Sequence, residues 1–354
     1  MATAAAPATL EESRDRVRPC TQPQAGDLFD GYQLIRPIGR GGTGTVWAAR
    51  RLADGLQLAI KMLAPGMLER YPELATRLVR EWEACSRIES ERVVRVYGHG
   101  IYLGLPYLVM EHVQGETLYD RVRRCPLGLE ETVGLVAQIA EALTAAHQAG
   151  VIHRDVKAGN VMLCAGGLKV LDFGFAKLEA ERQRVVITQE GTSLGSPTYM
   201  SPEQFLGSST VDHRTDVWAL AVVAYFALTG AYPFSGLTFV AIATEVLEHR
   251  FTAPSHLRPE LPLVLDRIFQ RAFALQIDDR YPSAAALAQD LSRAVALPSL
   301  TLADTCYDGE RPQHQTDHPV EAVAQRRSSF GWVLRWSAIA LACLVASALL
   351  AQLV

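Results

Sequence analysis

The sequence predicts an α+β protein with two unequal lobes, a small β-rich one followed by a larger, mainly helical one, and an apolar helix at its C-terminus. Three observations carry this expectation. Short alternating runs broken by glycines occupy the stretch from Tyr32 to Val113. Apolar residues then recur at three-to-four spacing up to about Ala296. Last, the run from Trp336 to Val354 contains no charged residue. Period two reads as strand, period 3.6 as helix, and an unbroken apolar run as a buried or membrane helix.

Residues 1–29 are rich in Ala, Pro, Thr and charge without periodicity, and read as a flexible tail. The start lacks a basic segment leading into an apolar one, so it is not a secretory signal. From Tyr32, YQLIRPIG, GTVWAAR and LQLAIKML read as antiparallel strands joined by tight turns. ELATRLVREWEACSRI, Glu73 to Ile88, has helical spacing, and VVRVYGHG and LPYLVMEHV return to strand character. This defines a small lobe at about 30–113 and a large lobe at about 114–297. In the latter, LEETVGLVAQIAEALTAAHQAG starts acidic and ends at Gly150, a good C-cap. VWALAVVAYFALTG is apolar nearly all round and reads as a core helix. SAAALAQDLSRAVA closes the helical part, and 298–329 is a polar linker.

The segment 332–354 is expected to cross a bilayer. Nineteen uncharged residues from Trp336 rise roughly 28 Å as a helix, about the hydrocarbon thickness. Trp332 and Trp336 sit where an aromatic belt would, and Arg326 and Arg327 mark the cytoplasmic side. The expectation is a single pass through the cell (inner) membrane with the preceding domain cytoplasmic. The sequence given ends in this run, so signals are expected through a partner or clustering rather than an extracytoplasmic sensor. Ala338, Ala342 and Ala346 form a small-residue stripe that would suit pairing into a homodimer.

Composition excludes some classes. A net charge of -4 with no basic stripe gives no surface for nucleic acid. Six scattered cysteines, with no C-x-x-C pair, argue against a zinc site or disulfide framework and fit a reducing compartment. Only four of the 34 basic residues are lysines (Lys61, Lys157, Lys169, Lys177), and Asn160 is the sole asparagine. Each retained lysine is therefore informative.

The chemistry-bearing residues lie in order along the chain. IGRGGTGTV places Gly39, Gly41 and Gly44 in a G-x-G-x-x-G-x-V pattern between two strands, where glycines let backbone N–H groups approach phosphate oxygens. The strand-turn-strand setting argues against a dinucleotide fold, which needs a helix after the turn. Lys61, in LAIK, is a point charge that needs a carboxylate to hold it; Glu81 is the first candidate and Glu83 the alternative. In HRDVKAGN, Asp155 can orient a hydroxyl and accept its proton, and Lys157 can neutralise charge on a transferring group. Asn160 and Asp172, the latter in LDFG, offer a neutral and an anionic oxygen to Mg²⁺.

Together GRGGTGTV, LAIK, HRDVKAGN, DFG and SPE, spread over about 32–297, resemble a eukaryotic-like (Hanks-type) protein kinase, most closely the bacterial membrane-anchored serine/threonine kinases. The resemblance implies a bilobal protein-kinase fold and transfer of the ATP γ-phosphoryl group to Ser or Thr of protein substrates. It implies ATP with Mg²⁺, or Mn²⁺ in its place. Ile38, Gly39, Arg40, Gly41, Gly42, Thr43 and Gly44 would cover the phosphates, and Lys61 would hold them while paired with Glu81. Asp155 would be the base, with Lys157 and Ser196 beside it, and Asn160 and Asp172 the metal ligands. Glu111 and Val113 would form the hinge, with Met110 as gatekeeper, and Val46, Ala59 and Met162 would sandwich adenine. Thr192 is the first candidate phosphosite, opposite Arg154, with Thr188 and Ser193 competing. GTSLGSPTYMSPEQ resembles the family's activation segment, and Glu203 and Arg280 would pair to tie it to the large lobe. Ala158 replaces the family's usual Pro, and Ser201 its common Ala. The alternative is a pseudokinase, a nucleotide-binding scaffold without phosphotransfer.

Overall fold

The computed structural model describes residues 22–41, 44–64, 82–83, 85–173, 197–207 and 211–296. Gly42, Thr43, Glu81, Thr188, Thr192, Ser193 and Ser196, and the expected membrane segment 332–354, lie outside these. Among the described residues no helix is long and apolar enough to cross a membrane.

The first lobe is a six-stranded antiparallel sheet. Its strands are β1 (Leu28–Phe29), β2 (Tyr32–Gly41), β3 (Gly44–Arg51), β4 (Gln57–Leu63), β5 (Val96–Tyr102) and β6 (Leu105–Glu111), in the order β1-β2-β3-β4-β6-β5. The hairpin β2–β3 carries the glycine-rich turn. Gly44 is required there, because a Cβ would lie 1.9 Å from the Met62 carbonyl oxygen. The strand expected from Val93 begins only at Val96. Val93 instead makes an isolated parallel bridge to Val170, and the Val94 N–H donates to the Val170 carbonyl.

Period two divides β4 between two cores. Leu58, Ile60 and Met62 pack with Leu34, Trp47, Ala49, Tyr107 and Val109. Ala59 and Leu63 pack with Val94, Leu108 and Met110, joined by Val46, Val113 and Leu171. Lys61 shares a face with Ala59 and Leu63, so it emerges on the side where Leu171 meets the sheet.

The second lobe is mainly helical: α1 (Leu118–Arg124), α2 (Leu129–Gln148), α3 (Pro202–Phe205), α4 (Arg214–Thr229), α5 (Phe239–Leu247), α6 (Pro254–Leu257), α7 (Val264–Ala272) and α8 (Ala284–Ala296). Helix α2 ends at Gln148, two residues before Gly150, whose φ of 77° lets the chain turn away. Every residue of α4 from Thr215 to Leu228 is buried, so this helix is the axis of the lobe. The small three-stranded sheet β7 (Glu116–Thr117), β8 (Val161–Cys164) and β9 (Gly167–Val170) was not foreseen. Its strands are two to four residues long, too short for a periodic signal. This sheet frames the site: β8 follows Asn160 and β9 leads into Asp172.

Candidate active site

Asp155, Lys157 and Asn160 lie on one short piece of chain, an extended segment running into a 3₁₀ turn over Ala158–Asn160. The Lys157 ammonium donates to Asp155 Oδ2 at 2.5 Å. Asn160 is buried, and its Nδ2 donates to the Asp155 carbonyl at 2.9 Å and to Oδ2 at 3.1 Å. Both side-chain bonds fall on Oδ2. Fixing Asn160 by its nitrogen leaves its amide oxygen as the free end. Glutamine, one methylene longer, would not reach both acceptors from the same backbone.

Asp172 is joined to this turn through the backbone. The N–H of Leu171 donates to the Asn160 carbonyl at 2.8 Å, and the Leu171 carbonyl accepts from His153 Nε2 at 2.9 Å. Asp172 itself has a φ of 58°, a conformation that costs a non-glycine residue energy and marks functional segments. Its Oδ1 meets Lys61 Nζ at 2.8 Å. Burial alone would push this carboxyl up, but the charges of Lys61, Lys157 and His153 hold it below the usual carboxylate range. Lys61, 7% exposed, therefore reaches the site from β4 as a strand position facing the cleft. The carboxylate expected for it, Glu81, lies outside the described residues; the described partner is Asp172. Glu83, the alternative, is exposed.

The nucleotide-facing residues divide as follows. Val46 lies opposite Lys61 in the β3–β4 register, and Ala59 opposite Met110 across β4–β6. Val46, Ala59, Met110 and Val113 belong to one apolar cluster with Leu171. Met162 is half-buried on β8, paired with Thr117 and Lys169, outside that cluster. Ile38, Gly39, Arg40 and Gly41 are exposed along β2. Glu111 uses its N–H on the Arg95 carbonyl at 2.8 Å, while its carboxylate takes Lys169 at 2.9 Å.

Sequence reasoning missed the residue that holds the loop in place. Asp216, fully buried in the first turn of α4, accepts the N–H groups of His153 (2.8 Å) and Arg154 (2.7 Å) and meets His147 Nε2 at 2.8 Å. Arg154 adopts a φ of 64°, which these bonds enforce. From sequence, an Asp opening a helix reads only as a dipole partner; its partners lie about 60 residues upstream. Gln204 was also missed. Its Nε2 donates to the Arg154 carbonyl at 3.1 Å, and its Oε1 accepts from the Ser201 N–H at 3.0 Å. Ser201 in turn meets Thr215 at 2.6 Å, so the hydroxyl that replaces the family's Ala is bonded on both sides.

Glu203 and Arg280 form a bidentate pair at 2.9 and 2.8 Å, with Arg280 also donating to the Ala274 carbonyl and lying 4.9 Å over the Trp218 ring. This fastens the segment after Pro197 to the large lobe.

A metal and a nucleotide fit these residues. One carboxylate (Asp172) and one amide oxygen (Asn160) make a hard-oxygen pair that leaves most positions for phosphate and water, the pattern Mg²⁺ prefers.

A protein kinase domain model matches residues 32–280. The chain is 36% identical over 282 residues to the serine/threonine-protein kinase Pkn1 of Myxococcus xanthus, covering 77% of this chain and 40% of that protein. It is 37% identical over 279 residues to the serine/threonine-protein kinase PknB of Mycolicibacterium smegmatis, covering 77% and 44%. The chain thus spans less than half the length of the curated relatives it matches. The crystal structure of the Mycobacterium tuberculosis PknI kinase domain superposes with a TM-score of 0.62 at 28% identity, covering 77% of this chain and all of that one.

Proposed function

From the premise that this chain belongs to the protein kinase family, we propose that it is an active serine/threonine protein kinase, transferring the ATP γ-phosphoryl group to hydroxyls of protein substrates. One observation carries this reading: Lys61, Asp155, Lys157, Asn160 and Asp172 are all present and are joined by direct side-chain or backbone bonds. A scaffold without phosphotransfer has no need of the full set.

In this mechanism Asp155 receives the substrate hydroxyl and takes its proton; Lys157 holds the carboxylate by Oδ2 and sits ready to neutralise the moving phosphoryl group. Lys61 exchanges Asp172 for nucleotide phosphate, as a mobile ammonium can. Asp172 and Asn160 would hold Mg²⁺, which would supply positive charge to offset the negative charge of the phosphates. Apolar Val46, Ala59, Met110 and Val113 would exclude water from the adenine. Most of the acceleration comes from positioning and charge.

The activity test is incubation of the purified chain with labelled ATP and Mg²⁺. Phosphoserine or phosphothreonine is expected in the wild type and a fall of at least 100-fold, on the order general-base removal costs, in Asp155→Asn. Undiminished labelling of that variant would sink the reading, and labelling of neither would favour the scaffold. Mapping the labelled sites also decides among Thr192, Thr188 and Ser193.

We further propose that 332–354 anchors the chain in the membrane with the kinase domain cytoplasmic and that pairing of this helix supports autophosphorylation in trans. The support is the uncharged run from Trp336 to Val354, preceded by Arg326, Arg327 and Arg335. An arginine at the bilayer centre is expensive. Leu344→Arg should therefore release the chain from carbonate-washed membranes; unchanged retention would refute the anchor.

A further inference from the structure

Ala158 stands where the family carries Pro, which supplies a fixed φ and no donor. The exchange creates a backbone N–H at the first position of the 3₁₀ turn, where intrahelical partners are lacking. Ala158 is 0% exposed, so water does not satisfy that N–H. It donates instead to the Tyr199 hydroxyl at 3.3 Å. Tyr199 is nearly buried, and its own O–H donates to Tyr232 at 3.4 Å. Tyr232 stacks on Phe226 of α4, with ring centroids 4.7 Å apart. Burial, with Tyr232 beside it, pushes the Tyr199 phenol up, so it remains a neutral hydroxyl at any working pH.

The bond joins two parts of the site, beside the one that Gln204 Nε2 makes to the Arg154 carbonyl. On one side are Lys157, extended and paired with Asp155, and Asn160, whose N–H returns to the Lys157 carbonyl at 2.9 Å. On the other is the Pro197–Tyr199 turn, within the stretch that resembles an activation segment. Resting on the kinase reading above, we propose that the Tyr199 hydroxyl is a positioning residue for phosphoryl transfer in this chain, holding the Lys157–Asn160 turn in register with the Pro197–Tyr199 turn through the Ala158 N–H. It substitutes a hydrogen bond for the rigidity that Pro provides in relatives.

The test is a cycle of Tyr199→Phe and Ala158→Pro in the full chain, with kcat and KM measured for both ATP and a peptide substrate. Lys157 is already extended, as a residue before Pro prefers, so Ala158→Pro is compatible with the turn. Tyr199→Phe strands a buried donor and is expected to lower kcat about tenfold while leaving KM for ATP unchanged. Ala158→Pro removes the donor and fixes φ, and should stay within about threefold of wild type. In the Ala158→Pro background Tyr199→Phe should then cost nothing further. An equal loss in both backgrounds, or no loss in the wild-type one, would overturn the proposal. A loss confined to KM for ATP would do the same, since it would mark a general loosening of the lobes. Exchange of the Ala158 amide hydrogen tests the contact independently of activity: it should be slow in the wild type and at least tenfold faster in Tyr199→Phe. A wild type inactive on every peptide would refute the kinase reading and the catalytic part of this one, whereas unprotected exchange would refute the contact alone.

Discussion

Removing Arg280 should damage this fold more than removing any exposed ion pair. Its side chain is 0% exposed and that of Glu203 7%, and the two make parallel bonds at 2.9 and 2.8 Å. Arg280→Ala leaves the Glu203 carboxylate buried without its cation, takes donors from the Ala274 and Leu275 carbonyls, and uncovers the Trp218 ring. Breaking a buried pair by one partner costs about 3–5 kcal/mol. For a domain of this size each kcal/mol moves Tm by roughly 2–4 °C, so a fall of about 6–20 °C is expected. Scanning calorimetry of the purified chain measures it. The double variant Glu203→Gln with Arg280→Met, which leaves no uncompensated charge, should recover at least about half of the loss. A fall below about 3 °C for Arg280→Ala would refute the reasoning, because it would mean that water reaches Glu203 and solvates it.

Asp216→Ala should strand the buried His153 N–H, at about 1–3 kcal/mol, and the part-buried Arg154 N–H at less, and release the strained Arg154 backbone; kcat should fall at least tenfold with the nucleotide Kd little changed, as read by steady-state kinetics and titration. Gly44→Ala drives a Cβ into the Met62 carbonyl, so β3 must part from β4. Nucleotide affinity should drop at least about tenfold, one decade being about 1.4 kcal/mol, and isothermal titration would check it. The Asp172 carboxyl titrates below its unfolded value of about 3.9, so the stability it contributes is present above that pH and lost as pH falls through the depressed folded value. The Tm difference between wild type and Asp172→Asn should therefore be constant from pH 5 to 7 and shrink on further acidification. Lys169→Met removes a part-exposed pair with Glu111 and should cost no more than about 1 kcal/mol in thermal melts.

The order of chemistry along the chain was legible without coordinates, because each motif is local. Lys61 alternates with apolar neighbours on a strand, and four residues between Asp155 and Asn160 are enough to place an amide beside a carboxylate. The helices α2, α4 and α8 announced themselves by period or by unbroken apolarity over more than a dozen residues. Strands β7 to β9 did not, since two to four residues hold no period. Nor could the sequence say that Lys61 meets Asp172, 111 positions away, since a lysine strand position identifies a face but not what lies across the cleft.

What the sequence determined by itself was which groups are available and on which element each is carried. Tertiary structure decided which of them touch and what keeps them there. Asp216 and Gln204 fasten the catalytic loop from 50 to 63 residues downstream, and no local pattern encodes such a bond. Ala158 shows the difference most directly. In the sequence it is a missing proline and a looser turn. In the fold its N–H is buried and must find an acceptor, and only the packing of Pro197–Tyr199 against the loop supplies the Tyr199 hydroxyl.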